Sequence, residues 1–161
     1  MRTGTALVLA ALAAATLPLE AHGNERGKAE VAISGKTVSI DYGRPSLNGR
    51  DMLGKAEVGK PWRLGADAAT HFKSDADLVF GQTVVPKGEY TLTATKTGEA
   101  AWNLNFKPAK EGDKPTDVPL KVSQAAASVE ELTISLKPEA SGGHLEIAWG
   151  TSVMGTSFGV K

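Results

Sequence analysis

Glu89-Tyr90-Thr91-Leu92-Thr93-Ala94-Thr95-Lys96 and, beyond a break at Thr97-Gly98, Ala101-Trp102-Asn103-Leu104-Asn105-Phe106 decide the fold class. In the first run Tyr90, Leu92 and Ala94 alternate with three threonines; in the second Trp102, Leu104 and Phe106 alternate with Asn103 and Asn105. Successive side chains of a strand point to opposite faces, so a period of two buries one face and wets the other, whereas a helix needs apolar residues three and four apart. The rhythm returns in Glu131–Lys137 with Leu132, Ile134 and Leu136, and in His144–Trp149 with Leu145, Ile147 and Trp149. Earlier, Val38, Ile40 and Tyr42 alternate with Ser39 and Asp41.

The punctuation between these runs supplies turns: Ser34-Gly35, Gly81-Gln82, Pro86-Lys87-Gly88, Thr97-Gly98 and Ser141-Gly142-Gly143. Short alternating strands joined by such turns predict an all-β, antiparallel sandwich of about eight or nine strands, with jelly-roll and immunoglobulin-like topologies both open. Ser123–Glu131 is the one stretch compatible with a helical turn before its strand. Lys107–Pro119, with three prolines and mixed charge, reads as a solvated connection. Gly43–Lys60 is longer than the roughly 12–15 residues beyond which loops are commonly functional or mobile.

The N-terminus reads as an address. Arg2 precedes an apolar run, Ala6–Leu17, too short to span a bilayer as a helix, and Ala21 and Gly23 offer small residues two apart. Residues 1–23 are therefore expected to be a signal peptide cleaved after Gly23, or alternatively after Ala21, giving an exported protein, periplasmic or extracellular. Removing 23 of 161 residues leaves 138, the size of a single domain, here 24–161. It also removes one base, Arg2, and one acid, Glu20, from 18 of each, so the remainder stays formally neutral. Neutrality argues against nucleic acid as a partner, because phosphate backbones are held by an excess of lysine and arginine. With no cysteine, disulfides, thiolate metal sites and cysteine nucleophiles are excluded.

Outside the N-terminal tail, counted here through Arg26, arginine occurs only at Arg44, Arg50 and Arg63, all in one glycine-punctuated stretch where the other bases are lysines. A guanidinium is a rigid, always-charged fork that matches carboxylates and phosphates at two points, whereas lysine is a hydrated point charge on a flexible stem. Pro45 holds Arg44 extended, Asn48-Gly49 favours a tight turn, and Gly54 and Gly59 allow further reversals, so the loop is shaped. It is followed by Pro61-Trp62-Arg63-Leu64-Gly65-Ala66-Asp67-Ala68-Ala69-Thr70-His71-Phe72, which brings an aromatic ring, a guanidinium, a carboxylate, a hydroxyl and an imidazole within a dozen residues.

Tyr42-Gly43-Arg44-Pro45-Ser46, then Gly49-Arg50, then Trp62-Arg63-Leu64-Gly65-Ala66-Asp67-Ala68-Ala69-Thr70 resemble the signature of an exported bacterial family catalogued as domain of unknown function 2911. The similarity runs from about Val31 to Phe158 and includes a hairpin at Gly88–Leu92 and a tryptophan strand at Trp102–Leu104. Three positions depart from the family pattern: Gly43 stands for serine, Asp67 for asparagine and Ala68 for glutamate. The insert rich in tryptophan and tyrosine that the family tends to carry after the tryptophan strand is replaced by the plainer Lys107–Pro119. The resemblance implies export and an all-β fold, and brings no activity with it.

The candidate ligand-binding residues are Arg44, Ser46, Arg50, Trp62, Arg63, Asp67, Thr70 and His71. Each has a plainer reading. The arginines suit a small anionic or polar ligand, or equally an internal knot with Asp41, Asp51, Asp67 or loop carbonyls. Trp62 suits a stacking platform or the core; Trp102 and Trp149, in the inward phase of their strands, are core. His71 falls outward beside Phe72 and reads as a surface residue, and no His-x-x-x-His or aspartate-rich metal motif occurs. Ser46 and Thr70 lie in no nucleophile elbow, and no phosphate-cradling glycine motif is present. The expectation is a binding module without cofactor, the alternatives being a structural or interaction domain of the cell envelope and a hydrolase of envelope polymers or small esters.

Overall fold

The computed structural model describes residues 24–161. The expected signal peptide, residues 1–23, lies outside the described residues. All regular structure within them is β: β1 (Arg26–Ile33), β2 (Lys36–Gly43), β3 (Pro61–Trp62), β4 (Thr70–Ser74), β5 (Leu78–Phe80), β6 (Thr83–Val85), β7 (Gly88–Gly98), β8 (Ala101–Pro108), β9 (Thr116–Glu139) and β10 (Gly142–Val160). Every pairing is antiparallel, in the order β1-β2-β4-β7-β8-β9-β10-β5-β6, with β3 added to the end of β7. The all-β class is as expected. The pairing forms one continuous sheet, and it has ten strands where eight or nine were expected.

This sheet is rolled, as two short-range facts require. Only Asp75, Ala76 and Asp77 separate β4 from β5, yet these strands stand third and eighth in the sheet order. Three linking residues reach little more than about 14 Å, so β4 and β5 must face each other across the core. The aromatic rings agree: Phe106 of β8 meets Phe72 of β4 at 5.0 Å and Phe80 of β5 at 5.4 Å, and Phe80 meets Phe158 of β10 at 5.4 Å. The inward phases read from the sequence supply this core, with Val38, Ile40, Leu92, Leu104, Leu132, Leu145 and Ile147 all fully buried.

The long strands β9 and β10 form a ribbon that doubles back on itself. His144 Nδ1 lies 2.9 Å from Ser157 Oγ, and a Cβ on Gly142 would meet the carbonyl of Phe158. Residues 13 and 16 apart in a straight strand would be separated by roughly 40–50 Å, so β10 must turn between them. The corner is Gly150, with φ +63°, flanked by two irregularities in the ladder. Between the pairs Ala148–Thr133 and Ser152–Gln124, β10 supplies three residues where β9 supplies eight. The outer strand of a corner travels the longer arc, and the surplus emerges as the largely exposed Gln124–Ser128 segment.

That corner corrects the expectation of a helical turn at Ser123–Glu131. The alternation lapses there because the strand is carrying surplus length around a bend, and the backbone remains extended. The connection expected at Lys107–Pro119 is also shorter, since β9 begins at Thr116 and buries Val118 and Leu120. Pro119 is tolerated in a strand because the ladder to β10 ends at Lys121–Gly155, short of the proline.

Candidate functional site

The glycine-punctuated loop after β2 is pinned along its length. Leu47 donates its amide to Glu130 of β9, Leu132 donates back to Pro45, and Asp51 caps the amide of Gly54 at 2.9 Å. Lys96, the inward-facing end of β7 and nearly buried, donates from Nζ to the Gly54 carbonyl, while its own carbonyl accepts from Gly59. The loop then enters β3, whose pairing with Thr95 and Ala94 lays Trp62 over the core. The Trp62 ring stacks on Trp149 at 5.5 Å and 9° and meets Trp102 edge-on at 6.2 Å. Trp149 is fixed from behind, donating Nε1–H to the carbonyl of Glu130.

Between loop and tryptophans lies a cavity of about 370 Å³. Trp62, Trp149, Met52, Leu53 and Ala56 make it apolar; Arg50, Lys55 and Lys60 stand at its rim. The two carboxylates present have other partners, Asp51 in the cap on Gly54 and Glu57 beside Lys60 at 3.7 Å. Arg50 donates Nε–H to the Leu47 carbonyl, and its two terminal nitrogens make no hydrogen bond among the described residues. A tryptophan surface under a cationic rim can hold a small anion that carries an apolar face.

Of the eight candidates, only Arg50 and Trp62 line this cavity. Arg44 reaches across to β9, donating to the Leu132 carbonyl and to Thr133 Oγ1, both at 3.2 Å, with Glu131 at 3.5 Å. Ser46 bridges to Glu131. Arg63 is exposed and donates to the Asp67 carbonyl at 2.7 Å, and Thr70 is fully buried, its hydroxyl bonded to the Leu64 carbonyl. Asp67 accepts from the backbone and side-chain nitrogens of Asn24. His71 faces outward as expected, in a separate cleft of about 490 Å³ with Lys28, Ser39, Asp41, Lys73 and Glu89. Among the described residues no group of three His, Asp or Glu is arranged to hold a metal ion.

The profile of the family described as Protein of unknown function (DUF2911) matches residues 24–158. The chain belongs to that family. No curated protein and no solved structure matches it. In this DUF2911 chain Gly43 and the segment before Asp67 lie side by side in space. A Cβ on Gly43 would sit 2.3 Å from the carbonyl of Ala66, so the end of β2 and the segment before Asp67 approach this closely because no side chain intervenes. Asp67 has φ +60°, and its carboxyl is held below the usual carboxylate range, first by the hydrogen bonds from Asn24 and then by the charges of Arg26 and Arg63.

Several residues of these sites escaped the sequence reading. Arg26, counted there with the N-terminal tail, lies in β1, pairs with Asp41 and donates to the carbonyls of Ala68 and Ala69. Lys96 was readable, because it extends the inward phase of Tyr90, Leu92 and Ala94 by one more step. Trp149 is core, at 3% exposure, and also the floor of the cavity. Its double role depends on β3 landing opposite it, which no local pattern announces.

Proposed function

We propose that this chain is an exported binding module whose Trp62–Trp149 cavity takes a small anion bearing a flat or apolar part. The observation that carries the reading is the pairing of a stacked tryptophan floor with a rim of three cations, of which Arg50 keeps its terminal nitrogens without hydrogen-bond partners among the described residues. The pinned loop supports it, since a wall held by Lys96, Asp51 and Glu130 loses little freedom when a ligand arrives. Hydrolysis is less well supported, because both carboxylates at the rim are occupied, one as a cap and one beside Lys60.

A second reading, a structural or interaction domain with arginines as an internal knot, draws on Arg44 and Arg63, which bond to the chain's own carbonyls. Titration separates the two. Tryptophan fluorescence is followed while small aromatic and aliphatic carboxylates, phosphates and acidic sugars are added. The binding module gives a saturable, salt-sensitive change with one class, lost in Trp62→Ala and weakened about tenfold in Arg50→Gln, the scale of one charge-assisted hydrogen bond. No saturable change with any class would leave the structural reading standing.

A further inference from the structure

We infer that cleavage after Gly23 turns the backbone nitrogen of Asn24 into an α-ammonium group held by Asp67, so that maturation of the chain fastens the segment between β3 and β4. The inference rests on the reading of residues 1–23 as a cleaved leader. Its structural basis is separate from that reading. The Asn24 backbone nitrogen lies 2.8 Å from Asp67 Oδ2, and the side-chain amide of the same residue lies 3.2 Å from the same oxygen. These are the hydrogen bonds the Asp67 carboxylate accepts among the described residues.

The chemistry is a simple hydrolysis. Water adds across the Gly23–Asn24 bond under a host leader peptidase; Gly23 leaves as a carboxylate and Asn24 keeps an amine that takes a proton at neutral pH. A neutral N–H donor thereby becomes a cation with three donors, at a carboxylate already within bonding distance. The bond is already charge-assisted from the carboxylate side, and cleavage adds the second charge that makes it an ion pair.

The receiving segment is built to be held. Asp67 and Leu64 both take left-handed backbone conformations, with φ of +60° and +54°, which are uncommon for residues other than glycine. Arg63 grips the Asp67 carbonyl, Arg26 grips those of Ala68 and Ala69, and the buried Thr70 hydroxyl grips that of Leu64. The Asp67 carboxylate is the acceptor of this segment that meets Asn24, and those hydrogen bonds hold its carboxyl below the usual carboxylate range, so that it is ionised at neutral pH. Because Trp62 and Arg63 lie directly before this segment, the new terminus braces one side of the tryptophan floor.

The test uses the full chain, leader included, expressed in a bacterial host that exports it, alongside Asp67→Asn. Mass spectrometry of the purified proteins gives the first residue. An amine-reactive acylating reagent at neutral pH then gives the reactivity of the α-amino group, with the lysines of the same molecule as internal standard. The expected result is a chain beginning at Asn24 whose α-amino group reacts about two- to fivefold faster in Asp67→Asn, the range set by an exposed ion pair, while lysine labelling is unchanged. A chain beginning at His22 or elsewhere overturns the inference at the leader reading. A chain beginning at Asn24 with equal reactivity in both proteins overturns it at the Asp67 contact.

Discussion

Arg44 and Arg50 are six residues apart on one loop and have opposite fates. Arg44 lies half-buried and aims its fork at β9, where Leu132, Thr133 and Glu131 receive it. Arg50 is exposed, rests Nε on the carbonyl of Leu47 and carries its outer nitrogens to the rim of the tryptophan cavity. The difference comes from what precedes each. Pro45 keeps the backbone extended, so the chain around Arg44 runs as a partial strand against β9; the turn at Asn48-Gly49, with both residues at positive φ, then lifts Arg50 away. Chemically identical residues become a stitch or a free head according to whether the backbone stays in register with a neighbour.

The comparison breaks most visibly in stability. Arg44→Gln, which removes charge-assisted bonds to β9, is expected to cost about 2 kcal/mol and roughly 5–10 °C in melting temperature, whereas Arg50→Gln stays within about 1–2 °C. Equal shifts in the two variants would show that Arg44 is no stitch. Next in size is Gly150→Ala. A left-handed conformation costs a residue with a Cβ about 1–2 kcal/mol, so this change loosens the corner that presents β9 to Arg44, and a melt lowered by roughly 3–8 °C is expected. Combined with Arg44→Gln, it should fall short of additivity if corner and stitch act on the same strand, which a double-mutant cycle would read.

Arg63→Gln sharpens the comparison from the other side. Its guanidinium is exposed and bonded to a single carbonyl, so a loss of no more than about 1 kcal/mol is expected, between the extremes of Arg44 and Arg50. Asp67→Asn is the smallest effect and depends on pH. The Asp67 carboxyl is held below its ordinary value near 3.8, so its contribution is present above that value and lost as pH falls through the lowered one. Melting temperatures of parent and variant should differ at neutral pH and converge in strong acid. A gap that persists in acid would mean that the substitution acts through something other than charge.

The legible part of this molecule is whatever repeats with a period of two on a straight strand. Val38, Ile40, Leu92, Leu104, Ile134 and Ile147 were readable as core because each is buried by its own strand's pleat. What stayed hidden depends on two distant segments meeting. The corner at Gly150 removes the alternation in β9 as a strand bends, and a lapse of alternation looks in sequence like a change of secondary structure. The clustering of arginines in sequence suggested one cleft, but the rolled sheet sends Arg44, Arg50 and Arg63 to three surroundings. Arg50 and Trp62 were found because loop and β3 are adjacent in the chain. Their partner Trp149 comes from the far end and was recognisable as core alone.

The β5–β6 hairpin has a consequence in time. It is complete by Val85, yet it reaches the rest of the sheet through Gly159 and Val160, which pair with Val79 and Leu78, and through the Lys161 amide bonded to Asp77. A ribosome releases this hairpin some seventy-five residues before the strand that receives it. Leu78, Phe80 and Val85, all buried in the finished protein, gain their neighbouring strand on this side only once Gly159 and Val160 have been made. The sheet therefore closes on Gly159 and Val160, and a chain lacking these residues would carry a finished hairpin with no strand to join.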